Sequence, residues 1–245
     1  MNAFSLAKRS DLPESTAGMI KDHWKVLEHV DRDTGKVTRS YSYKRYPCTR
    51  VLLTSKVAKQ FTGWVLIEKD LRNVLIWLKK IASEKEDFDQ RKAARFVITK
   101  DKEKLHLLKG LFVASLTFYG KCFTKCDGRP VKLVPAQLDI RFRPIHEECM
   151  QYRHQFAAHS GEAKLEFADA ALVFPKKFRT GVQPRIYREL YQPVDGWLSS
   201  NDELFIDLVE HARGVVNAKI GKLYDKLLEE EGIPIALAAW KLSAR

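Results

Sequence analysis

The chain predicts a mainly α-helical fold: a four-helix up-down bundle with a β-hairpin insert between its third and fourth helices and a basic N-terminal extension. Three features point there. Long segments repeat apolar residues at three- and four-residue steps, two short strand-forming runs flank a Lys/Arg/Gly turn, and the first sixty residues are polar, basic and aperiodic. The expected organisation is an extension over 1–59, a helical bundle over 60–232 holding the insert at 164–193, and a tail over 233–245.

Within the extension, VDRDTGKVTRSYSY reads as a hairpin, because Asp33-Thr34-Gly35 supplies a turn between strand-forming residues. The first helix is expected from Gln60 to Ser83, with Trp64, Ile67, Leu71, Val74, Leu75, Leu78 and Ile81 on one stripe. The charged run SEKEDFDQRKAAR follows as a solvated linker. A second helix spans Lys102 to Lys125, its apolar face formed by Leu105, Leu108, Phe112, Leu116, Tyr119 and Phe123. Gly128, Pro130 and Pro135 make a loop of the next segment.

The third helix starts near Pro144, repeats Ile145, Cys149, Tyr152 and Phe156, and stops at Gly161. LEFADAALVF and VQPRIYRELYQP then read as two strands joined by PKKFRTG. The fourth helix opens at Ser200-Asn-Asp-Glu203, a capping-box spacing, and runs to about Glu230 with Leu204, Leu208, Ala212, Val215, Val216, Ile220, Leu223 and Leu227 inward. Four such stripes are buried most simply by packing against each other.

The 245 residues carry 43 Lys and Arg against 31 Asp and Glu, a formal charge of +12 that favours a polyanionic partner such as nucleic acid. Residues 1–60 hold 12 basic and 6 acidic side chains, and KCFTKCDGRPVK at 121–132 adds another basic stretch. Lys125 and Arg129 in that stretch, with Lys176, Lys177 and Arg179 in the insert's turn, are candidate phosphate contacts. No apolar run approaches the roughly 18 residues that a bilayer span needs, and the N-terminal residues form no apolar signal region. A cytoplasmic protein that engages no membrane is the expectation.

The four cysteines are expected to be reduced. Cys122, Cys126, His146 and Cys149 could form a zinc set, but their spacing is looser than that of a zinc knuckle and both halves fall on helical segments. Small buried thiols are the preferred reading, and neither a metal nor another cofactor is implied.

The segment YRHQFAAHSG at 152–161 carries the candidate chemistry. Arg153 and His159 are six steps apart, about 120° in azimuth and roughly 9 Å in rise on an α-helix. Helical side chains lean toward the N-terminus, so both reach one patch of solvent. Free carbonyls at the helix end favour a cationic imidazole. A histidine there can take the proton of a ribose 2′-hydroxyl or protonate a leaving 5′-oxygen, while an arginine fork grips the phosphate. His154, rotated by about 100° from Arg153, is a second candidate imidazole. The competing reading is electrostatic only, since Arg and His near a helix C-terminus complement its dipole.

This Arg-x5-His, followed by Ser160-Gly161, resembles the Rx4–6H motif of the HEPN superfamily, and RHQFAAHSG is similar to the RNKxxAHS stretch of HEPN proteins associated with phage abortive infection. The resemblance covers the motif and, loosely, the helices from about residue 60 to 230. It implies a bundle that dimerises through its motif helices, with Arg153 and His159 as the catalytic pair of a metal-independent endoribonuclease acting on RNA in a defence or toxin-type system. A cognate antitoxin protein would then be a further partner. Inactive RNA and nucleotide binders also belong to that superfamily. His154 stands where the family often has Asn, which keeps a polar group but departs from the pattern.

Overall fold

The computed structural model describes residues 23–91, 102–158, 167–177, 181–191 and 202–243. Among the described residues the protein is mainly helical, with two small antiparallel sheets. Helices α1 (Lys56–Arg91), α2 (Lys102–Phe123), α3 (Arg143–Ala158) and α4 (Asp202–Leu227) are joined by a two-stranded sheet, β4 (Phe167–Val173) and β5 (Arg185–Tyr191), which lies between α3 and α4 in the chain. Ahead of them come β1 (Trp24–Val30), β2 (Val37–Tyr43) and β3 (Tyr46–Pro47), a three-stranded sheet in that order. After α4 a π-helical turn, Leu228–Gly232, leads into α5 (Ile233–Ser243). Pro234 explains the widened turn, because its ring would clash with a carbonyl in a regular α-helical continuation.

Contacts divide the chain into two compact units. One spans Lys56–Glu230, and the other combines the residues before it with those from Glu231 onward. In the first unit α1 packs against both α2 and α4, and α3 touches α2 and α4, giving a bundle-like core. Ile67, Leu71, Val74, Leu78 and Ile81 of α1 meet Leu108, Phe112, Leu116 and Tyr119 of α2, with Leu208, Ala212 and Val216 of α4. These are the stripes that the periodicity picks out. At the start of α4 the register differs by one: Phe205 is fully buried and Leu204 half exposed. The larger aromatic ring fills the core against Tyr119, at 5.4 Å between ring centroids.

Two sequence expectations are corrected. The run from Ser83 to Arg91 is helical rather than a linker, because it consists of helix-tolerant residues with neither Gly nor Pro. Residues 233–243, read as a tail, form α5. α3 crosses α2, with His146 against Tyr119 and Phe123 and Arg153 against Gly120 and Thr124. The segment 124–142, with two short 3-10 turns at Pro135–Gln137 and Ile140–Phe142, connects α2 to α3.

The N-terminal hairpin forms as its turn chemistry requires. Asp31 Oδ1 accepts from the amides of Asp33 and Thr34, at 3.0 and 2.9 Å, and Gly35 takes a left-handed φ of 65°. Both insert strands also form, in the register Phe167↔Tyr191 to Val173↔Arg185. Among the described residues, no helix is long and apolar enough to cross a membrane.

Candidate functional site

Arg153 is seated across α2. Gly120, buried in that helix, leaves an open notch, and a Cβ there would run into Arg153 Cδ and come within 2.8 Å of its Nε. Arg153 Nη1 donates to Thr124 Oγ1 at 3.4 Å, and that hydroxyl donates to the Gly120 carbonyl at 2.9 Å. Among the described residues, Arg153 is therefore held by the Gly120 notch and one neutral acceptor. No ion pair joins it to a carboxylate among the described residues, and its side chain is half-buried.

His154, the next residue, is exposed. His159, Ser160 and Gly161 lie outside the described residues, and so does the side chain of Phe156. The geometry thus positions one half of the Arg/His pair. Gly120 and Thr124 were not singled out from the sequence. The available signal was a glycine inside the helical run TFYGKCF, where a lost Cβ costs helix stability unless packing requires it.

The phosphate candidates separate on burial. Lys125, Lys176 and Lys177 are exposed. Arg179 lies outside the described residues. Arg129 is the correction: it is buried, and its Nη1 faces Asp70 Oδ2 at 3.5 Å. Its Nη2 donates to the Lys121 carbonyl, to the Thr124 carbonyl at 3.5 Å and to Cys126 Sγ at 3.4 Å. Asp70, only 1% exposed, is also met by Lys121 Nζ at 3.2 Å and Lys69 Nζ at 3.0 Å. A buried guanidinium needs a counter-charge and several acceptors, and Arg129 finds them inside the fold rather than on a phosphate. It caps the C-terminal carbonyls of α2 and ties the following loop to α1.

The zinc set does not assemble. Among the described residues, no three His, Cys, Asp or Glu are grouped to hold a metal, and all four cysteines are free thiols. Burial pushes the Cys122 thiol up to about 12, with the nearby Asp70 charge adding to the shift. The Cys149 thiol is raised for the same first reason, so both favour the protonated form, the poorer metal ligand. His146 is spent elsewhere. It is buried against Phe123, and its Nδ1 shares a 2.8 Å hydrogen bond with the Tyr119 hydroxyl. Burial lowers the His146 pKa, the neighbouring Glu147 charge opposing it, and burial raises that of Tyr119. The pair therefore stays neutral in the core. His211 is structural as well, accepting the Asp139 amide at Nε2, 3.0 Å away, while its ring lies 4.9 Å from that of Phe142.

No family model, no curated protein and no solved structure matches this chain, so the reading of the site rests on its own residues.

Proposed function

We propose that this chain is an RNA-binding, HEPN-like protein that acts as a metal-independent endoribonuclease of a defence or toxin-type system. The observation that carries the reading is the Arg153 guanidinium, seated in the Gly120 notch with no ion pair to a carboxylate among the described residues. The Arg-x5-His spacing to His159 and the formal charge of +12 support it.

In this mechanism Arg153 binds the scissile phosphate and stabilises charge on its non-bridging oxygens. His159 accepts the 2′-hydroxyl proton as the 2′-oxygen bonds to phosphorus and the P–O5′ bond breaks. The departing 5′-oxygen takes a proton from a second imidazole, giving a 2′,3′-cyclic phosphate and a 5′-hydroxyl. Two copies with motif helices facing supply that second imidazole as the other copy's His159, and His154 is the alternative donor.

The test compares wild-type protein with His159→Ala and Arg153→Ala on mixed RNA. The reading expects cleavage by the wild type, a loss of at least a hundredfold in either variant, and retained binding by His159→Ala. Absence of cleavage by all three proteins, with equal binding, removes the catalytic claim. A non-catalytic bundle that binds nucleic acid or a partner protein through its basic surface is the second reading, favoured by the same net charge. Binding then tracks ionic strength and ignores His159.

A further inference from the structure

The three-stranded sheet has a solvent-facing row of aromatic rings. Directly paired residues in an antiparallel sheet point to the same side, and residues two apart on one strand share that side. Trp24 pairs with Tyr43, and Tyr43 pairs with Tyr46, so three rings on three successive strands share one rung and one face. The Trp24 and Tyr43 centroids are 5.0 Å apart. On the same face, Tyr41 lies opposite Val26 at the next rung. Trp24 is 55% exposed, Tyr43 37% and Tyr46 74%. A contiguous set of exposed rings on a small sheet marks a binding surface.

The segment that carries this row is cationic. Residues 23–55 hold seven Lys and Arg against three Asp and Glu. Lys44 Nζ stands 5.5 Å from the centroid of the Tyr43 ring. The β2–β3 turn places Lys44 and Arg45 at φ values of 46° and 76°. Two left-handed central residues define the type I′ turn, a position that Asn-Gly fills without strain. Here two basic residues with full side chains take it, at a local conformational cost. Strain of this kind collects at binding sites, and in this turn it fixes two cations next to the ring row.

We propose that this face is a stacking platform for single-stranded nucleic acid, RNA in the first instance. Unpaired bases stack on Trp24, Tyr43 and Tyr46, while Lys44 and Arg45 meet the adjoining phosphates. Every base has a π face, so the platform tolerates any sequence, whereas a duplex keeps those faces stacked on one another. A protein partner fits the face less well. The Glu28–Arg39 ion pair, 2.6 Å long, lies on this side between the Val26–Tyr41 and Val30–Val37 rungs and interrupts the apolar area. The platform belongs to the N-terminal sheet and does not depend on the ribonuclease reading of Arg153 and His159.

The experiment uses the full chain carrying His159→Ala, so that RNA stays intact, and a fluorescein-labelled twelve-nucleotide oligouridine read by anisotropy. Trp24→Ala and Tyr46→Ala should each weaken binding about tenfold, as expected for loss of one stacked base. Tyr46 sits on an exposed edge strand, so its removal leaves the fold in place, and circular dichroism checks both variants. Trp24→Phe should restore most of the affinity and abolish part of the tryptophan quenching caused by RNA. Lys44→Ala with Arg45→Ala should flatten the salt dependence, and a duplex of equal length should bind the wild-type and ring variants alike. Unchanged affinity in Trp24→Ala and Tyr46→Ala overturns the proposal. So does a change in self-association by sedimentation without a change in RNA affinity, which would make a second copy the occupant. Loss of binding in Arg153→Ala alone refutes the platform and leaves the ribonuclease reading standing. Loss in the ring variants, from a chain that never cleaves RNA, does the reverse.

Discussion

Arg153 of α3 occupies the space that any side chain on Gly120 of α2 would need. The two helices therefore meet through a backbone notch and a long cationic side chain as well as through the buried rings of Tyr119, Phe123 and His146. Gly120→Ala forces the guanidinium out. Overpacking costs about 1–3 kcal/mol, offset in part by about 1 kcal/mol of helix propensity. The expected outcome is a small net loss in thermal stability with a disproportionate loss of RNA cleavage. Differential scanning calorimetry beside a cleavage assay separates the two.

Asp70 and Arg129 form a buried pair in which Asp70, met also by Lys69 and Lys121, supplies the counter-charge of the buried guanidinium. Asp70→Ala leaves an uncompensated guanidinium in the interior and should cost about 3–5 kcal/mol in urea denaturation. The joint change Asp70→Leu with Arg129→Met, which removes both charges, should recover most of that loss. RNA affinity should not follow Arg129, since its guanidinium does not reach solvent.

His146 makes stability depend on pH in a defined direction. The unfolded side chain titrates near 6.5, and burial holds the folded one lower. Between those values the unfolded chain binds a proton that the folded chain refuses. Its contribution is complete above about pH 6.5, declines as the pH falls through that value, and levels off below the folded pKa. Urea midpoints measured at pH 8 and pH 5.5 should draw closer together in His146→Phe than in the wild type.

Lys176 and Lys177 are exposed at the turn of the β4–β5 insert. If they contact phosphates, replacing both with Ala should lower the slope of log affinity against log salt by roughly 1.4 on single-stranded RNA. Titrations at four salt concentrations measure that slope directly.

The helices of the core were legible because their burial is periodic: Ile67, Leu71, Val74 and Leu78 declare one face at the spacing of an α-helix. The hairpin at 24–43 was legible from Asp33-Thr34-Gly35, whose glycine takes the left-handed φ, although the accepting carboxylate is that of Asp31 just before it. Long-range facts were not. Nothing local tells Arg129 that a carboxylate 59 residues earlier will bury it, so the guanidinium read as surface charge. The crossing of α3 over α2 likewise depends on tertiary contacts such as Tyr119 with His146. In the candidate site the arginine and its spacing were visible in the sequence. The notch that seats it was not, since a glycine states only that something needs room.

The segment between α2 and α3 looks like a natural place to cut, tag or lengthen the protein, because a surface connection usually accepts insertions at little cost. This one is pinned along its length. Arg129 reaches Asp70, Val131 crosses α1 where Gly63 has no side chain, the Leu133 amide returns to the Cys122 carbonyl, and the Asp139 amide ends on His211. An epitope or protease site engineered into 124–142 would pull on three helices at once, whereas the Asp31–Lys36 turn of the N-terminal hairpin offers the same accessibility with only local bonds to disturb.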